Sequence, residues 1–427
     1  MEYLFFAGYL LLFSWLVTKV PFFTRTGLTK PQLIILFLLK VMAGILYGWI
    51  GIYYGNLAQM VDTWSYHYAS VSEYRQLYTH PYEFLVSIFH NEYPGGYLNF
   101  FSSYDSYWND LKGRTFIKVL SLFNLFSFGY YYVNIIFYSF LSLFGPMAVY
   151  RVMTDVFPRR KAPVLVACFL IPSFLYWTSG IHKDGLIFTG ISLVVYHLYF
   201  SLKEKRFGIR RLLGILLGLV IILAFRNFLL LVLAPALVSW IWAARRGRRP
   251  WLVFTLVYGA FVLLFFTARL ISPRFDFPEA VAAKQRDFLH LSGGSAVPTR
   301  RLQPQFLSFL ANAPQAISLS AVRPYPSDVR HLLSLAAAIE INGLLLLVLI
   351  FLVWRLPAPA SGPFFYFCLF FSFSVLLTIG YTVNFLGAIV RYRSIIFPFL
   401  LAPMFALIDW NRISRFLTGN ITINNNM

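Results

Sequence analysis

Runs of about twenty apolar residues return from one end of this chain to the other, and that repetition leaves few folds open. A hydrocarbon layer about 30 Å thick is crossed by roughly 20 helical residues, and within it every backbone N–H and C=O must be satisfied inside the protein. Such runs occupy 3–22, 31–54, 130–150, 163–179, 184–202, 211–225, 227–243, 250–271, 331–354, 364–384 and 393–409. They predict an all-α, polytopic transmembrane helical bundle of about 11 spans, forming a single transmembrane domain over 1–427. With 59% hydrophobic and only 12% charged residues, a water-soluble domain could not cover its apolar surface. The first run starts at Glu2 without a basic front or a small-residue cleavage site and reads as a retained span.

The formal charge of +20 invites a nucleic-acid partner. The basic residues, however, fall in short clusters between apolar runs, where the positive-inside bias accounts for them, so no nucleic acid is expected. With the N-terminus outside, the inner connections "TRTGLTK", "RVMTDVFPRRKAP", "SLKEKRFGIRR", "AARRGRRP", "WRLPAPASGP" and "DWNRISRF" hold eighteen Lys and Arg, against four in the short outer connections 179–184, 225–227 and 385–393. A cytoplasmic C-terminus follows. The two cysteines, Cys168 and Cys368, each lie inside an apolar run and suggest neither a disulfide framework nor a thiolate metal site.

Two outer segments are too long to be turns. Residues 55–129 mix polar groups with many aromatic ones, as in "SYDSYWNDLKGRTFIKVLSLFNLF", which suits helices lying at the headgroup level. Residues 272–330 combine charge, Pro and Gly with one apolar patch, a composition expected of a lid or binding loop. The closing "GNITINNNM" reads as a frayed tail, and its glycosylation sequon would face the cytoplasm.

Once sidedness is assigned, the ionisable groups at membrane depth collect at the outer end. "MVDTWSYHYAS" supplies Asp62, Tyr66 and His67; "WTSGIHKDG" supplies His182, Lys183 and Asp184; the next outer turn supplies Arg226 and Asn227; "VRYRS" supplies Arg391, Tyr392 and Arg393. A bundle could gather these around one cavity. Arginine offers a planar fork and lysine a point charge for phosphate oxygens. A carboxylate suits general-base work, and an aromatic wall of low dielectric is expected to raise the pKa of Asp62. Plainer roles exist for each. His182, Lys183 and Asp184 could form a polar turn with an acid at a helix start; Arg391 and Arg393 could snorkel to headgroups; Asp62 could be solvated and His67 packed like an aromatic. Glu340, deep in "LLSLAAAIEINGLLLLV", is expected to face a cavity or a partner. Arg323 in "RPYPSD" could meet phosphate or pair with Asp328, and His197 reads as a hydrogen-bonded core residue. No spacing of His, Cys or carboxylates makes a strong metal signature, so no metal ligand is assigned.

"VRYRSIIFPFLLAPMFALI" resembles the last helix of GT-C type glycosyltransferases that use lipid-linked sugars, and of related polysaccharide-assembly proteins. "IPSFLYWTSGIHKDGLIF" looks like a helix-turn-helix of similar polytopic proteins. The resemblance implies a GT-C-like bundle in a bacterial inner membrane, acting at the periplasmic face on a polyprenyl-phosphate or pyrophosphate sugar donor and a glycan or lipid acceptor among membrane lipids. It implies catalysis by Asp62, in a position like that of the family's loop acid, which serves there as base or metal-positioning group; a divalent metal ion is compatible with it, and no cofactor is assigned. His182, Lys183, Arg226, Arg391 and Arg393 would hold the donor phosphate; Tyr66, His67, Asp184, Asn227, Arg323, Glu340 and Tyr392 would support them. In that family the loop follows the first span, whereas here it follows the second, so an additional N-terminal helix is required. O-antigen polymerases and ligases share the polytopic form and the outer arginines. A transporter or flippase of a lipid-linked substrate is a further class, although the sequence shows neither a paired repeat nor a clear broken helix. An assembly subunit without activity would tolerate substitutions in the outer turns.

Overall fold

The structure is a computed structural model and describes residues 1–53, 62–89, 107–247, 249–356 and 362–418. Residue 54, parts of the expected outer loop (55–61 and 90–106) and the tail from 419 lie outside the described residues. Among the described residues the fold is all-α, apart from two isolated β-bridges. The helices of eight residues or more begin with α1 (Glu2–Leu16), α2 (Lys30–Tyr53), α3 (Asp62–Thr79), α4 (Tyr107–Ser127) and α5 (Tyr131–Val156). They continue with α6 (Lys161–Phe169), α7 (Pro172–Ser179), α8 (Lys183–Lys203), α9 (Ile209–Arg226), α10 (Phe228–Arg246) and α11 (Pro250–Thr267). α12 (Phe277–His290), α13 (Phe306–Ile317), α14 (Leu332–Val353), α15 (Pro363–Thr382), α16 (Leu386–Ser394) and α17 (Phe397–Leu407) follow, and Trp410–Thr418 closes the chain as described.

Seven of these helices are long and apolar enough to cross a membrane, or up to nine if each of two bent pairs counts as one span. The sequence alone suggested about eleven. The excess has two sources. α1 has 15 residues, about 22 Å at 1.5 Å per residue, which falls short of a hydrocarbon layer. α9 has 18 residues but carries Arg210, Arg211 and Arg226 at its ends, which shortens its apolar stretch. The arrangement is a helical bundle of the multi-span kind.

Both bent pairs break at proline. α6 and α7 meet at 49° and α16 and α17 at 64°, where Pro172 and Pro398 stand in the first turn of the second helix. A proline tolerates the start of a helix but removes a donor and clashes with the preceding turn, so the chain turns there. The sequence shows no clear broken helix; among the described residues the structure has two. α8 is buried along most of its length against α5 and α9, which places its first residues inside the bundle rather than at its rim.

Segment 272–330 is folded onto this frame. Val297 N–H donates to Asn384 O at 2.9 Å and Leu386 N–H to Ser295 O at 3.0 Å, pairing the segment with the residues that lead into α16. Tyr381 Oη donates to Phe309 O at 2.8 Å, which fastens α13 along α15.

Candidate functional site

The site is built around the short link between α7 and α8. Gly180 and Gly185 flank it because no side chain fits: a Cβ at Gly180 would lie 2.2 Å from the Tyr47 ring, and one at Gly185 would lie 2.5 Å from Thr178 O. The link is thereby pressed against α2 and α5, and Tyr138 Oη donates to the His182 carbonyl. His182, extended at φ −154° and ψ 161°, precedes the first turn of α8. Its imidazole is buried and aimed back at the other elements.

Asp184 is fully buried, yet its carboxylate does not cap the helix start, the plainer role open to it from sequence. Arg391 Nε, from α16, donates to Asp184 Oδ2 at 2.6 Å. Arg226 Nη2, from the end of α9, stands 3.1 Å from Oδ1 as an ion pair. His182 Nδ1 lies 3.1 Å from Oδ2. One acid thus gathers two arginines and an imidazole from three connections. Burying a lone carboxylate is costly, and pairing it on both oxygens is what makes the arrangement stable.

Asp62, the first residue of α3, forms the open side of this cluster. Its Oδ2 lies 3.7 Å from His182 Nε2 and 3.8 Å from Arg391 Nη1, while its side chain is 55% exposed. His182 and Arg391 therefore each face both acids. Asp62 was expected to have a raised pKa; instead the facing His182 imidazole, followed by Arg391 and Lys183, holds it below the usual carboxylate range against the opposing effect of burial. The aromatic wall is present, but the hydrogen-bonding contact with His182, joined by the charges of Arg391 and Lys183, outweighs it.

Aromatic rings support the cations. Lys183 Nζ sits 5.0 Å from the centre of the Tyr66 ring, and the guanidinium of Arg226 sits 4.3 Å from that of Tyr392. Arg391 lies 5.5 Å from the Trp177 ring. Such contacts favour a desolvated cation without neutralising it. Tyr66 also packs edge-on to His182 at 5.7 Å, and burial pushes its hydroxyl up to about 12.

The remaining residues singled out from sequence go elsewhere. His67 is buried between Trp64 and Tyr131, its pKa lowered to about 4 by burial. Asn227 caps α10, accepting from Phe228 N–H at 2.9 Å. Arg323 stands 3.7 Å from Asp328. Arg393, expected at the phosphate beside Arg391, is fully buried on another side of α16, where it donates to Ser320 O at 3.1 Å and to Arg323 O. Residues two apart on a helix point about 200° apart, which separates the two arginines. Glu340 accepts from Ser173 N–H at 2.6 Å at the start of α7.

Two cations escaped the sequence reading. Lys40, midway along α2 and buried, donates to Thr178 O at 2.7 Å at the other end of α7; a lysine inside an apolar run was the signal. Lys112 on α4 has its pKa lowered to about 8, by burial first and then by nearby Lys284 and Arg226. It also bears on Lys183, so it belongs to the same positive neighbourhood.

Among the described residues no group of three or more His, Cys, Asp or Glu is arranged to hold a metal ion. Arg391 already lies within 4 Å of both carboxylates, a place a divalent cation would otherwise take, so these residues do not suit one. No family model, curated protein or solved structure matches this chain.

Proposed function

We propose that the chain is a membrane glycosyltransferase of a bacterial inner membrane, taking its sugar from a polyprenyl-phosphate or pyrophosphate donor at the periplasmic face. One observation carries the reading: Arg391, Arg226 and Lys183 surround two carboxylates, of which only Asp62 is open to solvent. Among the described residues three cations stand against two acids there, which leaves a positive surplus beside an exposed acid. A phosphate would balance it, and a lipid anchor explains why the site is made of membrane helices.

In this reaction the acceptor hydroxyl oxygen bonds to the anomeric carbon while the bond from that carbon to the donor phosphate oxygen breaks. The electron pair leaves with the phosphate, whose added charge falls on Lys183, Arg226 and Arg391. The hydroxyl proton passes to Asp62. A carboxylate held ionised by its neighbours is a weak base but an available one, which suits a proton that becomes acidic only as the new bond forms. His182, set between Asp62 and Asp184, fixes the distance between the open acid and the buried one.

A second reading, movement of a lipid-linked anion without chemistry, is favoured by the two bent helix pairs. Both lead into the cluster, as discontinuous helices do at transporter sites. Vesicles holding the purified protein, a labelled polyprenyl-phosphate sugar and an oligosaccharide acceptor separate the two. Transfer predicts a new glycosidic bond that is lost in Asp62→Asn; label that crosses the bilayer with no new bond would overturn it in favour of transport.

A further inference from the structure

The opposite end of the bundle holds a feature that chemistry at the cluster does not use. α8 starts at Lys183 in the cluster and runs 21 residues to Lys203, about 30 Å away at 1.5 Å per residue. There a cavity of about 440 Å³ opens among α8, α10 and α15, lined by Phe157, Tyr199, Trp240, Phe364, Ala244 and Lys203 among others. Its size is that of a ligand site, roughly 300–1,000 Å³. The walls are preformed: Trp240 and Phe364 lie 5.2 Å apart by ring centres, Tyr199 and Phe364 5.4 Å, and Trp240 and Phe367 4.8 Å. Rings braced in this way hold a slot open without help from an occupant.

Among the described residues Lys203 is the charged member of the lining, and the stretches of chain that flank the lining residues are strongly basic. Residues 155–161 and 203–211 with Arg245 and Arg246 contain ten Lys or Arg and two acids. Both acids are already engaged. Asp155 accepts from Tyr199 Oη at 2.6 Å and from Lys203 Nζ at 2.6 and 2.7 Å, and Glu204 pairs with Arg211 at 2.5 Å. Arg245 and Arg246 rest on the rings of Phe207 and Trp242. An aromatic slot of ligand size therefore opens beside basic stretches of the chain.

We infer that this cavity seats an anionic phospholipid, with an acyl chain laid against the wall that Tyr199, Trp240 and Phe364 form and the phosphate against Lys203 and the Arg245–Arg246 turn. The apolar wall selects a hydrocarbon chain, and the basic stretches beside it select an anionic headgroup over a zwitterionic one, as basic pockets between membrane helices do. The site is independent of what the far end catalyses.

The test uses the full chain released from vesicles of equal phosphatidylglycerol and phosphatidylcholine and weighed by native mass spectrometry. One phosphatidylglycerol per chain should be retained, at least tenfold over phosphatidylcholine. Ala244→Phe, which puts a ring into the slot, should lower that retention at least fivefold, while Arg300→Gln, exposed and outside both the cavity lining and the cluster, should leave it unchanged. Equal retention of the two lipids, or undiminished retention in a folded Ala244→Phe chain, would overturn the inference. Should that variant fail to fold, tryptophan quenching of the unaltered chain by acyl-brominated lipids decides. Brominated phosphatidylglycerol should quench more than brominated phosphatidylcholine, and the difference should vanish in Trp240→Phe; no difference in the unaltered chain overturns the site.

Discussion

α7 joins two regions that treat buried charge in different ways. Along α7 itself, charges face backbone: the Glu340 carboxylate takes the Ser173 N–H at one end and the Lys40 ammonium takes the Thr178 carbonyl at the other. An acid at the start and a base at the end match the helix dipole, so an eight-residue helix inside the bundle keeps its terminal groups satisfied. Just past the end of α7, charges face charges. Asp184 binds Arg391 and Arg226, His182 touches both acids, and Asp62 stays open. The first region uses each ion to hold a fixed backbone; the second keeps more cations than acids and leaves one acid reachable. The contrast separates ions that hold structure from ions placed to meet a ligand.

Substitutions can break that contrast, and the largest effect falls on the buried acid. Asp184→Asn removes the buried counter-charge that Arg226 and Arg391 share and leaves Arg391 the half-exposed Asp62 at 3.8 Å, a loss of about 3–5 kcal/mol, read as a lower unfolding midpoint in detergent. Lys40→Met removes a charged donor from the end of α7 and should cost about 1.5–3 kcal/mol. If Lys40 is structural, sulfate binding at the cluster persists in the folded fraction; a selective loss of binding at unchanged stability would erase the distinction between the two regions. Asp62→Asn should change stability by less than about 1 kcal/mol, because a half-exposed pair is screened. It should nonetheless lower sugar transfer about a hundredfold or more.

A smaller, pH-dependent effect sharpens the second region. Lys112 has a depressed pKa in the folded chain, so it loses its proton as pH rises through about 8, while in the unfolded chain it keeps that proton to higher pH. Sulfate, whose charge is constant here, should bind several-fold more weakly at pH 9 than at pH 7. The Lys112 contribution to stability should move the opposite way and rise over the same interval, since the unfolded chain then binds more protons. Lys112→Met should shrink both trends; a binding curve unchanged by that variant would remove Lys112 from the cluster.

The legible part of the molecule was the part written in local pattern. Long apolar runs gave helices, and ionisable residues beside them named most of the side chains now found near Asp184. Span counting failed where hydropathy met geometry, because α1 is too short and α9 has arginines at its ends. Arg393 shows a reading that periodicity alone could have corrected, since its side chain cannot follow that of Arg391 on one helix. Lys40 was visible as a lysine among apolar residues, but its partner lies 138 residues away. The partner of Glu340 is a backbone N–H, which no sequence pattern marks. The lowered pKa of Asp62 depended on where His182 points, a tertiary fact.

The most direct measurement is a double-mutant cycle between Asp184 and Arg391, residues 207 positions apart that meet at 2.6 Å. Unfolding free energies of the unaltered chain, Asp184→Asn, Arg391→Gln and the double variant should yield a coupling of about 2 kcal/mol or more, since contacting buried groups are strongly non-additive. Two losses that simply add, with a coupling under about 0.5 kcal/mol, would mean that the two connections do not meet and that there is no shared site.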